Sequence, residues 1–111
     1  MAEKQDLARR FMVAYLEGVR DYVDGFFKGD AAKKAAVVKA LVENTNIQDP
    51  AAFERMGMPA VNPNGKVNVE SLRRDMELFR QIGLVQAPAD LTKLVDHSFV
   101  EAAVKVLGEY R

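Results

Sequence analysis

The sequence of 111 residues has no cysteine, a single histidine and no surplus charge, since sixteen basic residues balance sixteen acidic ones. Without cysteine there are no disulfides, no thiolate metal sites and no cysteine nucleophile. Nucleic-acid binders usually carry a clustered basic surplus, so we expect no nucleic-acid partner. No run approaches the roughly 18 consecutive apolar residues of a transmembrane helix, which predicts no membrane insertion.

An export signal is also missing from the first residues. The segment 1–6 is polar and mixed in charge, whereas a secretory signal has a basic start and an uninterrupted apolar core. As written, the chain is expected to be cytoplasmic, unless residue 1 is not the natural start. Its length and its 49% apolar residues predict one globular domain over 1–111 rather than disorder.

Groups that could carry catalysis or bind a metal are sparse. His97 has Asp96 beside it and Glu101 four residues on, whereas a metal site normally needs three or four protein ligands. We interpret it as a capping or surface hydrogen-bonding residue. Arg73 and Arg74 lie among acidic residues without a glycine-rich loop, which is typical of a solvated helix face. The sequence therefore predicts no enzyme activity, no cofactor and no metal site.

The apolar periodicity predicts an all-α fold without a substantial sheet. Asp30, Asn68 and Asp90 are placed to cap three helices, and Asp49-Pro50 is a typical helix start. Asn62–Gly65 has the composition of a type I turn, and Ala87-Pro88 favours an extended connection. We expect about five helices, at roughly 3–28, 31–43, 50–56, 69–82 and 97–107, plus a short turn at 91–95.

The first helix carries two apolar stripes side by side, which is more than a surface helix needs. One stripe comprises Leu7, Phe11, Ala14, Tyr15, Gly18 and Tyr22, and the other comprises Ala8, Met12, Leu16, Val19, Val23 and Phe27. Close approach of another helix best explains Gly18, whereas Gly25 weakens the last turn. The aromatic residues of the helix admit a ligand box, but at helical spacing we interpret them as core.

Six segments in order and spacing resemble the C-terminal portion of the substrate-binding proteins of nitrate/sulfonate/taurine-type ABC transporters. These proteins are also described as the family similar to thiamine-pyrimidine-precursor synthases. The segments are Arg10–Tyr22 with Asp24–Phe27, Asp49-Pro50, Asn62–Gly65 leading into Val67–Arg74, Gly83–Val85, Leu94–Ala103, and Leu107-Gly108. Together they cover essentially the whole chain.

This resemblance implies the helical tail of a larger protein with two α/β lobes and a solute cleft between them. The cleft residues would precede residue 1, so no ligand-binding residue of the family matches a position in this sequence. The parent would be periplasmic, would bind a small anionic or heterocyclic solute, and would deliver it to an ABC permease. The alternative is a stand-alone helical dimerisation or interaction module without catalytic activity.

Without the lobes, one stripe of the first helix would lack a covering neighbour. An exposed apolar patch of several hundred Å² is more than monomers usually tolerate. We therefore expect a homo-oligomer, whose self-association face comprises Leu7, Phe11, Tyr15, Val19 and Tyr22.

Overall fold

The computed structural model describes residues 2–87 and 89–111, with Ala2 represented by its backbone, and the fold is all-α as predicted. The helices are α1 (Ala2–Phe26), α2 (Ala31–Asn44), α3 (Ala52–Arg55), α4 (Val69–Gln81), α5 (Leu91–Leu94) and α6 (Ser98–Leu107). No strand occurs in these two ranges. Each end lies within about two residues of its predicted position, which is the usual uncertainty of a helix terminus. The extended connection predicted at Pro88 lies outside the described residues.

Three predicted N-caps are confirmed by hydrogen bonds from the first turn of their helices. The side chains of Asp30, Asn68 and Asp90 accept bonds of 3.0 Å from the backbone N–H groups of Lys33, Ser71 and Thr92. Each bond satisfies a donor that has no partner within its helix. The side chain of Asp49 accepts a hydrogen bond of 2.9 Å from the N–H of Ala51. Helix α3 begins at Ala52, two residues after the start predicted at Pro50.

Helix α1 is the scaffold, because α2 and α6 both pack along it. At Gly25 the backbones of α1 and α2 meet: a Cβ there would lie 2.7 Å from the Cα and the N of Lys34. Real Cβ atoms do not approach backbone this closely, so only glycine permits the crossing. The sequence interpretation of Gly25, that it weakens the last turn, did not include this contact between the two helices.

The turn at Asn62–Gly65 presses on the core from the side opposite α2. Its defining bond is present, from the N–H of Gly65 to the carbonyl of Asn62 at 2.8 Å. Gly65 has φ of +70°, and a Cβ there would lie 2.8 Å from Leu16 Cδ2 and 2.9 Å from Val100 Cγ1. The turn therefore closes over α1 and α6 with no room for a side chain at its fourth position.

The core is small for the length of the chain. Among the described residues only Leu16, Phe53, Val100 and Ala103 are buried apolar side chains. Helices α2 and α4 contribute none of them. The accessible surface is 8418 Å², whereas a folded monomer of 12.4 kDa exposes about 6,100 Å². The radius of gyration is 17.3 Å, against about 13 Å for a compact domain of this length. Much apolar surface therefore stays uncovered.

Candidate functional site

The first stripe of α1 lies on the surface, and we call its six residues (Leu7, Phe11, Ala14, Tyr15, Gly18, Tyr22) the outer stripe. The side chains of Leu7, Phe11 and Tyr15 are exposed by 61%, 67% and 51%. Tyr22 at the other end is half-buried. The interpretation of these aromatic residues as core is therefore wrong for Phe11 and Tyr15.

The second stripe points inward for most of its length. Leu16 is fully buried, and Met12 and Val23 are half-buried beside it. Phe27 departs from the pattern with an exposure of 52%, because α1 ends at Phe26 and the chain turns toward α2. Of the two predicted stripes, the chain thus covers one and leaves the other open.

Toward the C-terminal half of α1, the outer stripe becomes the floor of an apolar groove of about 540 Å³. Helix α2 forms one wall, and α3 with the segment 56–61 forms the other. The lining side chains are almost all apolar: Ala14, Tyr15, Val19, Tyr22, Val37, Leu41, Phe53, Met56, Met58, Pro59 and Val61, with Gly18 between them. The groove thus joins three of the five predicted self-association residues, Tyr15, Val19 and Tyr22, to two further walls.

Tyr22 fastens the groove wall to α1. Its hydroxyl donates a hydrogen bond of 2.6 Å to the carbonyl of Pro59, and its ring packs against Phe26 and Phe27 at centroid distances of 5.2 and 5.8 Å. Partial burial raises the pKa of Tyr22, so its hydroxyl stays protonated and available as a donor. The segment 56–61 is therefore held beside the groove floor rather than free.

Gly18 sits at the bottom of the open stretch. Apart from the adjacent turns of α1 itself, no atom of the described residues lies within 4 Å of a Cβ built there. Glycine in a helix interior costs about 1 kcal/mol relative to alanine. The close approach that the sequence suggests for Gly18 is therefore not made by the part of the chain that the structure describes.

The opposite side of α1 carries a polar cluster centred on Arg20. Its guanidinium donates to the carbonyls of Pro63, Leu107 and Gly108 at 3.1, 3.3 and 2.6 Å, and to Oδ1 of Asn64 at 3.2 Å. A planar guanidinium suits this task, because its five N–H donors diverge in one plane. Arg20 thus ties α1 to the 62–65 turn and to the C-terminal end of α6.

Sequence reasoning missed the role of Arg20, although a signal was present. Arg20 falls one turn after Leu16 and one turn before Val23, on the side of α1 that is otherwise apolar. A cation at such a position needs several acceptors nearby, and carbonyls at a turn and at a helix end provide them. The sequence does not show which turn and which helix end supply these acceptors, because they lie 43 to 88 positions from Arg20.

A second polar cluster joins the C-terminus to α1 and α2. Asp24 accepts a hydrogen bond from the Tyr110 hydroxyl and an ion-paired bond of 2.5 Å from Lys33, which also pairs with Asp21 at 3.1 Å. The bonds from Lys33 and then Tyr110 lower the pKa of Asp24. The hydrogen bonds to Asp24 and then to Asp21 raise the pKa of Lys33. Each group in this cluster is already satisfied by the others, which is typical of a structural role.

The residues weighed as chemical candidates make structural contacts. His97 Nε2 accepts a bond of 3.2 Å from the N–H of Val67, so His97 joins two loops, as its interpretation as a hydrogen-bonding residue predicts. Arg73 and Arg74 both pair with Glu70, at 2.7 and 3.5 Å, on an exposed side of α4. Neither arginine lies beside the histidine.

Residues 2–87 and 89–111 contain neither a candidate metal site nor a membrane-spanning helix. They contain no group of three or more acidic, histidine or cysteine side chains that could hold a metal ion. No described helix is long and apolar enough to cross a bilayer.

Comparison with known protein families, with curated proteins and with solved structures finds no match for this chain. The candidate functional surface is the outer stripe with its groove, because it is apolar and exposed. It offers apolar contact area of the kind that binds a helix or a packed protein surface.

Proposed function

We propose that this chain is the C-terminal helical region of a solute-binding protein for ABC-type uptake, of the nitrate/sulfonate/taurine type. In this proposal it is a packing module: its inner contacts hold the helices together, and its outer stripe lies on a lobe of the parent protein. The parent binds a small anionic or heterocyclic solute in the periplasm and docks on an ABC permease. The solute cleft lies in the lobes, so this chain by itself binds no solute.

The observation that carries the proposal is the convergence of resembling segments at Arg20. Arg20 belongs to the first segment, its acceptors Pro63 and Asn64 to the third, and Leu107 and Gly108 to the last. These three segments are far apart in the chain, yet each supplies a group to one hydrogen-bonded cluster. Residues that determine how helices are held together are the ones that a shared helical arrangement would retain.

The uncovered side of α1 also fits this role. A helix that packs on a lobe needs a second apolar face, and the outer stripe is such a face, with Phe11 exposed by 67%. The excess of accessible surface, about 2,300 Å² over a compact monomer, is the amount that a large interface covers.

Calorimetric titration tests whether the chain carries a solute site. We expect no heat of binding with nitrate, an alkyl sulfonate or a pyrimidine at micromolar to millimolar concentration, because the groove offers almost no polar group to an anion. Micromolar binding of any of the three would contradict the proposal.

A stand-alone helical dimerisation module is the second candidate, and the same open stripe favours it. The coding sequence before residue 1 distinguishes the two candidates. An in-frame extension with an export signal and alternating strands and helices supports the solute-binding protein. A stop codon in frame with no start upstream of residue 1 contradicts it and supports the module.

A further inference from the structure

The spacing of the outer-stripe residues along the chain is the same from both ends. Leu7 and Tyr22 are equally far from the midpoint between Ala14 and Tyr15, and so are Phe11 and Gly18. In an antiparallel pair of identical helices, residues equally far from the midpoint face each other across the two-fold axis. The exposed Leu7 of one copy would then meet Tyr22 of the other, inside its groove.

Large and small residues alternate in a way that suits this pairing. Phe11, exposed by 67%, would face Gly18, beside which the described residues leave 4 Å or more of open space. A large aromatic side chain opposite a glycine lets two helices approach closely without a void. The pairing accounts for both an exposed phenylalanine and a helix-interior glycine, which no contact within the described chain explains.

The charges beside the outer stripe favour the antiparallel over the parallel arrangement. Glu17 and Asp21 each lie within about 20° of Arg10 on one flank of α1, since they follow it by seven and eleven residues. In the antiparallel pair, Arg10 of one copy is level with position 19 of the other copy. Its side chain therefore lies between Glu17 and Asp21 of that copy, which are on the same flank. In a parallel pair in register this charged flank would face the opposite flank of the partner, which carries Ala8, Met12 and Val19, so Arg10 would have neither acidic residue opposite it.

The amount of open surface is sufficient for a stable dimer. Obligate dimers bury 2,000 Å² or more in total, or about 1,000 Å² for each chain. The accessible surface of 8418 Å² exceeds that of a compact monomer by about 2,300 Å², so covering half of this excess would suffice.

We infer that a second copy of this chain covers the outer stripe and its groove. The two α1 helices run antiparallel, and the N-terminal half of each lies in the groove of the other. This inference concerns the chain by itself and does not rest on the family proposed above, in which a lobe of the parent protein would cover the same face.

Light scattering after size-exclusion chromatography is the first test. At micromolar concentration we expect a mass twice that of the 12.4 kDa chain. Phe11→Ser removes one aromatic side chain from each copy, each of them facing Gly18 of the other, and should raise the dissociation constant of the dimer by about 100-fold or more. A monomer of the unsubstituted chain would overturn the inference.

Phe79→Ser is the matched control, since Phe79 is an exposed phenylalanine on a different helix, at 44%. Its dissociation constant should stay within a few fold of the unsubstituted value. An equal weakening by both substitutions would place the interface elsewhere and overturn the inference.

Gly18→Leu separates loss of the interface from loss of the fold. Leucine favours helix over glycine, and apart from the adjacent turns of α1 no atom of the described monomer lies within 4 Å of a Cβ at position 18, so helicity by circular dichroism should be kept or increased. The added side chain collides with the partner's Phe11, so the dissociation constant of the dimer should again rise by at least about 100-fold. An unchanged dimer would overturn the proposed pairing.

Cross-linking tests the direction of the helices, and the absence of native cysteine makes it simple. A short bis-maleimide should join Leu7→Cys to Tyr22→Cys when the two variants are mixed. Leu7→Cys alone should not cross-link, because its two copies lie about 22 Å apart along the helix axis. Efficient cross-linking of Leu7→Cys to itself would indicate a parallel pair and overturn the inference.

Discussion

The two long sides of helix α1 are similar in sequence and opposite in environment. Both carry apolar residues at spacings of three and four, yet Leu16 on one side is fully buried and Leu7 on the other is 61% exposed. The inner side is covered by α6 and by the turn at Asn62–Gly65, and Arg20 ties these pieces together. The outer stripe has no such cover among the described residues. Apolar periodicity therefore indicates that a helix face is suited to burial. It does not show whether another part of the same chain or a separate surface covers that face.

The same substitution on the two sides should have very different effects. Leu16→Ala removes a fully buried side chain and should lower the free energy of unfolding by about 3 kcal/mol. Leu7→Ala should change the free energy of unfolding of the monomer by less than about 0.5 kcal/mol, because substitutions at exposed sites rarely have a larger effect. Urea unfolding at a concentration where light scattering finds monomer measures both. Equal losses would show that the outer stripe is covered within the monomer.

Arg20→Ala tests whether the inner side depends on its polar cluster as well as on its apolar contacts. The substitution leaves up to four acceptors without their donor, and we expect a loss of about 2 kcal/mol in the free energy of unfolding. Arg20→Lys keeps the charge but not the planar fork, so it should restore only part of the loss. Full restoration by lysine would mean that charge alone matters there.

The two glycines inside α1 offer a sharper comparison, because one substitution should have opposite signs. Gly25→Ala forces a Cβ to within 2.7 Å of the Lys34 backbone, so α2 must shift and the monomer should lose about 1–2 kcal/mol. Gly18→Ala meets nothing and should gain up to about 1 kcal/mol from helix propensity. Urea unfolding of the two variants measures both. A loss at Gly18 in the monomer would contradict its open environment.

The smallest expected effect is the pH dependence contributed by Asp24. Lys33 and Tyr110 lower its pKa in the folded state, so its stabilisation is present above the unfolded value of about 3.9 and is lost as the pH falls through the folded value. Asp24→Asn should therefore flatten the decline in stability on the acid side of about pH 4. Unfolding curves of both proteins between about pH 6 and about pH 3 measure the slope. An unchanged slope would show that this cluster does not couple to folding.

Local features of this fold were predictable because their causes are local. Asp30, Asn68 and Asp90 cap helices through bonds to residues two or three positions away. The turn at Asn62–Gly65 closes through one bond inside its own four residues. Proline, glycine and short polar side chains act over such distances in any context, so the chain alone specifies them.

The candidate site was predictable in part. The face comprising Leu7, Phe11, Tyr15, Val19 and Tyr22 was named from periodicity, and three of these residues line the groove. The walls were not predicted, because Val37, Leu41 and Met56 come from other helices or their ends. Met56, directly after α3, lines the groove and is still 45% exposed.

Local sequence patterns specify that the chain forms helices, where these begin and end to within about two residues, and that α1 carries two apolar stripes. Periods of three and four residues and capping side chains act within a few positions, so they need no knowledge of the rest of the fold. Which stripe is covered and what holds the helices together depend on long-range packing. Burial and the bonds of Arg20 arise between residues 43 to 88 positions apart, and no local pattern encodes those distances. The uncovered outer stripe is the direct result of that division.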